Sequence, residues 1–252
     1  MRSLLFSFLI LLFSLSAVCQ NQKGYAITFT INGLSDSTIY LAYHLGDKQY
    51  LKDSVKIDKS GHGIFSGKET LPQGIYMIVL PGRKYFEMLI SDNQTFTTEC
   101  SYTDYFKTLK FSGSSENSAF VNYQRKWILM QEEAAKLRTR AQNNKANNDS
   151  VSKLTGLQSK LEEKMKSYLN DVVNENKGNL LSLLIKSMLP VEVLPFVLPP
   201  NTINADSVKW YRSYMYNKDH FFDNIDLTDE RLLRTPILQG KLNMFFTNVV
   251  CV

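Results

Sequence analysis

The chain has 252 residues, 44% hydrophobic and 21% charged, with 12 Gly, 7 Pro, 3 Cys and a mean hydropathy of −0.21, which excludes a collagenous, low-complexity or wholly disordered protein. Lys and Arg outnumber Asp and Glu by 29 to 24. That surplus of +5 is small and spread along the chain, so nucleic acid is not expected as a partner.

The chain opens with basic Met1-Arg2-Ser3, an apolar run from Leu4 to Leu15, and Ser16-Ala17-Val18-Cys19 before polar Gln20-Asn21-Gln22. This three-part pattern predicts a secretory signal over residues 1–19, because the apolar run is shorter than the roughly 20 residues a spanning helix needs. Small residues at Ala17 and Cys19 suit cleavage between Cys19 and Gln20. The alternative is a lipoprotein acylated on Cys19, which would add a membrane tether; Val18 stands where such a signal usually carries Gly, Ala or Ser. Either way the expected location is exported, periplasmic or cell envelope.

From Tyr25 to Phe111 the chain reads in period two, apolar residues alternating with polar ones over Tyr25–Ile31, and further short runs follow at Thr38–His44, Tyr50–Ile57, Gly63–Ser66, Ile75–Leu80, Tyr85–Ile90 and Thr95–Cys100. Gly, Asn, Asp, Ser and Pro punctuate them, which predicts an antiparallel β-sandwich or barrel over residues 20–113, with no helix before about Ser115.

The period then changes. Ser114-Ser115-Glu116 can cap a helix carrying Phe120, Tyr123, Trp127, Met130, Ala134 and Leu137 at steps of three and four. After polar residues 142–149, a second stripe runs through Val151, Leu154, Leu157, Leu161, Met165, Tyr168 and Val172. Two such helices predict an antiparallel hairpin packed on itself, with a coiled-coil dimer as the alternative. The apolar stretch Leu180–Leu189 stops at Pro190, and Pro195, Pro199 and Pro200 keep the next segment irregular. Ala205–Asn217 reads as a helix, Thr228 as the cap of a turn holding Asp229 and Glu230, and Ile237–Val250 as a last helical stretch. The expected architecture is α+β, with residues 114–252 forming a helical domain behind the sandwich.

Chemistry is sparse. Cys100 and Cys251 lie far apart and no CxxC occurs, which excludes a disulfide scaffold and a self-contained thioredoxin-type site. Cys100 reads as a buried strand residue, and His44 and His62 as solvated side chains. Phosphate loops, nucleophile elbows and H-E-x-x-H are missing, so neither catalysis nor a cofactor is expected. Asp219, His220, Asp223 and Asp226 could offer ligands to a metal, although the segment lacks the spacing and glycine of a calcium loop. The alternative is a turn whose Asp and Asn side chains bond their own backbone while Phe221 and Phe222 bury. Asp precedes Ser37, Ser54, Ser150 and Ser207 in triplets that resemble an O-glycosylation sequon of some Gram-negative envelopes; Asp-Ser is equally good turn and cap chemistry.

Three stretches carry a wider likeness: Asp53-Ser54-Val55-Lys56-Ile57-Asp58 with Gly63-Ile64-Phe65-Ser66-Gly67; Leu71-Pro72-Gln73-Gly74-Ile75-Tyr76; and Phe111-Ser112-Gly113-Ser114-Ser115-Glu116-Asn117. The run from Phe221 to Pro236 is the most distinctive. Together they resemble the accessory half of exported envelope proteins in which a β-sandwich of unknown function and a helical linker precede a thioredoxin-fold domain of the thiol:disulfide interchange or AhpC/TSA type. The resemblance implies a non-catalytic docking module whose partner is a protein or the thioredoxin-fold domain, as in a truncated or split gene product. No catalytic residue transfers, because the family's CxxC lies downstream of such a run. A free-standing envelope binding protein for a glycan, peptide or lipid is the rival expectation. Ile237, Leu238, Leu242, Met244, Phe245, Phe246, Val249 and Val250 are expected to form an exposed apolar patch, which in the resembling family the thioredoxin-fold domain could cover; the alternative is that this helix inserts between sandwich and hairpin and is covered by them.

Overall fold

The computed structural model describes residues 24–143 and 148–250. The expected leader, its cleavage site at Cys19 and Gln20, the centre of the polar link and Cys251 lie outside the described residues.

The fold is α+β. Its strands are β1 (Tyr25–Asn32), β2 (Thr38–Leu45), β3 (Lys48–Lys56), β4 (His62–Gly67), β5 (Gly74–Leu80), β6 (Lys84–Ile90), β7 (Thr95–Ser101) and β8 (Lys110–Ser112). They form two four-stranded sheets, ordered β4-β1-β7-β8 and β3-β2-β5-β6. The alternating apolar residues face each other between the sheets: Ile27, Phe29 and Ile31 from one meet Leu41, Ile78 and Met88 from the other, and Phe29 stacks on Phe65 at 5.1 Å.

Two expectations need correction. The sandwich is not wholly antiparallel, because β1 and β7 pair in parallel from Ala26↔Thr95 to Asn32↔Ser101. A parallel pair needs a long crossover, and here the second sheet, with β4, supplies it. A one-turn helix, α1 (Tyr105–Thr108), also precedes Ser115. Local bonding decides it: Thr108 Oγ1 donates to Asp104 O at 2.7 Å and accepts from Ser101 N at 2.8 Å.

The helices after the sandwich are α2 (Ser115–Asn143), α3 (Asn148–Glu175), α4 (Leu180–Met188), α5 (Ala205–Asp219) and α6 (Pro236–Phe245), and α2 and α4 pack on the second sheet. The long helices pack on each other as a hairpin, Leu137 against Leu154 and Leu161 at one end and Tyr123 beside Tyr168 at the other. Between hairpin and sheet sits α4, whose Leu180, Leu181, Leu184 and Ile185 share one buried cluster with Ile75 of β5, Leu89 of β6 and Phe120 of α2. This explains why β5 reads as a continuous apolar run: the other sheet covers one face and helices cover the other.

Polar bonds fix the joint. Ser114 Oγ accepts from Asn117 N at 3.2 Å, capping α2. Asn117, 1% exposed, then acts as one more strand residue, accepting from Leu89 N at 2.7 Å and donating to Leu89 O at 2.8 Å. Glu116 accepts from Leu181 N at 2.9 Å, satisfying a free amide at the start of α4, while its other oxygen accepts from Ser91 Oγ.

On the far side, the 3₁₀ turn Glu230–Arg234 clips onto the sandwich, with Gly46 N donating to Leu233 O at 2.9 Å. Gly74, at φ +153°, touches this clip so closely that a Cβ there would lie 2.3 Å from Arg234 Cβ. The cap of the clip is Asp229, not Thr228 as the sequence suggested: Asp229 accepts from Arg231 N at 3.0 Å, whereas Thr228 is itself held by Asp226 Oδ1. Fully buried Thr235 closes the turn, donating to Leu232 O and accepting from Ile237 N to start α6.

The last helix meets both C-terminal expectations in part. Ile237 and Leu238 pack on the shared cluster and Phe245 meets Phe221 and Phe222, yet no residue of α6 is fully buried. Its outer side leaves Met244 exposed, and Phe246 and Val250 of the following π turn are exposed as well.

Candidate functional site

Of the metal candidates, the structure brings together only His220 and Asp223, with Nδ1 and Oδ2 2.7 Å apart. The imidazole also stacks on Tyr216. Asp226 bonds Thr228 N and Oγ1 instead, and these bonds hold its carboxyl below the ordinary carboxylate value. Among the described residues no three His, Cys, Asp or Glu side chains converge as a metal site. Asn224 does not bond its own turn but reaches across, donating to Leu189 O and Pro190 O.

The run from Phe221 to Pro236 is thus a clasp between helices and sandwich. Its strongest pair is Asp229 with Arg231, whose guanidinium donates three hydrogen bonds of 2.9, 3.1 and 2.6 Å to the two carboxylate oxygens. The Arg231 bonds hold the Asp229 carboxyl below its usual value. A carboxyl lowered by folding stabilises the fold above its unfolded pKa of about 3.9, and the contribution disappears as pH falls through the lower folded value. Asp229→Asn is therefore expected to cost about 1–2 kcal/mol at neutral pH. Urea unfolding should show that difference narrowing steadily as the pH is taken below about 4.

Cys100 is 1% exposed, and burial, with Glu99 adding to it, pushes its thiol up to about 12. Ser54 is exposed on edge strand β3, Ser207 is exposed in the first turn of α5, and Ser37 is half-buried with its hydroxyl donating to Ser35 O. The Ser150 side chain lies outside the described residues. His62 is exposed as expected, but His44 is 7% exposed and must be corrected: Nε2 lies 3.2 Å from Glu87 Oε1 under the clasp.

Three surface features remain. The first is an arm made of the irregular segment 189–204 and α5, which contains no fully buried residue. Val197 is 93% and Ile203 84% exposed, and Leu194, Trp210 and Tyr211 are also open to solvent. The second is a groove of about 770 Å³ between the hairpin and the start of this arm, floored by Trp127, Met165 and Leu169 and bridged by the Lys166–Glu192 ion pair. The third is a cleft of about 300 Å³ where the outer face of the second sheet meets α2, α4 and α6, with Glu87 on its wall.

Residues 25–120 match the family model described as domain of unknown function (DUF4369). The matched region holds the whole sandwich and ends just beyond the α2 turn that carries Glu116 and Asn117, the turn bonded to β6 and α4. No curated protein and no solved structure matches the chain. No described helix is long and apolar enough to cross a membrane.

Glu87 and His44 were not legible as a pair, because β5 lies between their strands. The available signal was a lone acid in the apolar run Tyr85–Ile90, on the face shared with Leu89.

Proposed function

We propose that the chain is an exported, non-catalytic docking module of an envelope thiol-disulfide system, holding a thioredoxin-fold partner in position. The observation that carries this reading is the arm, where Leu194, Val197, Ile203, Trp210 and Tyr211 present apolar surface to solvent. Contiguous exposed apolar groups mark interaction sites. The thiol of Cys100 supports a non-catalytic role, since an attacking cysteine works as thiolate and a buried thiol with a pKa of about 12 stays protonated. The redox chemistry then belongs to the partner.

The test is a calorimetric titration of the purified chain into the thioredoxin-fold oxidoreductase encoded nearest to it. A saturable complex is expected, weakened at least tenfold, roughly 1.4 kcal/mol, by Leu194→Glu with Val197→Glu at unchanged circular dichroism. No complex, or one indifferent to both substitutions, overturns the reading. A free-standing envelope binding protein is the second reading, and the Glu87 cleft is the observation that favours it.

A further inference from the structure

We propose that the cleft at the joint of sheet and helices binds a small apolar amine, with the ammonium group on Glu87 and the hydrocarbon between α2 and α4. This is independent of the docking reading, which concerns the arm. A cavity of about 300 Å³ lies at the small end of ligand pockets, about 300–1,000 Å³, and suits a small molecule rather than a protein segment.

The walls are apolar, with Phe120, Tyr123, Trp127 and Ile128 from α2 facing Leu184 and Met188 from α4. Among the described residues lining the cleft Glu87 is the sole charged one, and the other polar side-chain groups are the Gln124 amide, the Tyr123 hydroxyl and the Trp127 indole N–H. The negative sign is therefore local to the cleft, in a chain whose net charge is +5. A carboxylate against apolar walls is costly unless its oxygens are bonded. His44 serves Oε1 from behind, at 3.2 Å, and Oε2 has no protein partner among the described residues. With the Glu87 side chain 27% exposed, that oxygen is open to solvent and to a ligand, and an ammonium group is the donor that also compensates the charge. Tyr123 lies stacked between Trp127 and Tyr168, 6.3 Å from each, and this makes a rigid aromatic wall for the hydrocarbon. An anion would meet Glu87 with like charge, and an alcohol would supply a hydrogen bond without the compensating charge.

The two tryptophans permit a direct reading. In a Trp210→Phe chain, emission reports Trp127 alone, and n-hexylamine, n-hexanol and n-hexanoate are titrated in turn. Hexylamine is expected to saturate with a half-point at least tenfold below that of hexanol, and hexanoate to produce no saturable change. Glu87→Gln should remove the preference for the amine over the alcohol, which also separates this cleft from the neighbouring groove that Trp127 floors. Equal half-points for amine and alcohol, no response to the amine, or a preference that survives Glu87→Gln overturns the proposal. Should Glu87→Gln fail to fold, the three probes on the chain with native Glu87 decide it, equal half-points counting against the site.

Discussion

Replacing Asn117 by alanine is expected to lower the unfolding free energy by roughly 3–5 kcal/mol. The side-chain amide bonds both the N–H and the C=O of Leu89, at 2.7 and 2.8 Å, in a place only 1% exposed. Alanine leaves both backbone groups of Leu89 without a partner, and the surrounding Phe120, Leu181 and Leu89 side chains exclude water from them. It also frees α2 from the edge of β6, so the loss reaches beyond two hydrogen bonds. Urea unfolding followed by circular dichroism measures the difference. A loss below about 1 kcal/mol would mean that solvent or a shifted helix satisfies Leu89, and that Asn117 is not the bond between the parts.

Leu184→Ala is expected to cost roughly 3–5 kcal/mol and to loosen sandwich and hairpin together. Leu184 is 2% exposed on α4, in the cluster that joins Ile75 and Leu89 of the sheet to Phe120, Tyr123 and Val172 of the hairpin. Neither neighbour can collapse into the space without leaving the other, so the cavity stays largely open. Amide hydrogen exchange provides the measurement: in the variant, β5 and α2 should lose protection by the same factor. If α2 loosens while β5 keeps its protection, the two parts unfold separately and the shared cluster is not what stabilises them.

These two residues also show where sequence reading ends. Period-two alternation placed strands such as β1 and β7 because they bury one face in the sandwich, and that pattern is local. The same holds for the hairpin, where the stripes through Leu137 and Leu161 need only each other. The motif Ser114–Asn117 was visible as a helix start, and Ser114 does cap α2. What Glu116 and Asn117 bond could not be read, since Leu181 lies 65 residues and Leu89 28 residues away.

The same limit governed the candidate sites. Asp219, His220, Asp223 and Asp226 looked like a ligand set because proximity in sequence is all that a spacing records; the backbone of the clasp turns Asp226 toward Thr228 instead. Glu87 and His44 escaped notice for the opposite reason, as their strands become near neighbours only through the register of β5. By itself, then, the sequence determined β1 to β7 and the long helices, the α+β order and the scarcity of catalytic motifs, because periodicity, turns and caps are set by residues within a few positions. Tertiary structure alone decided the parallel β1–β7 pair, the shared core around α4 and the acidic cleft, because each depends on side chains that meet only after distant segments have packed.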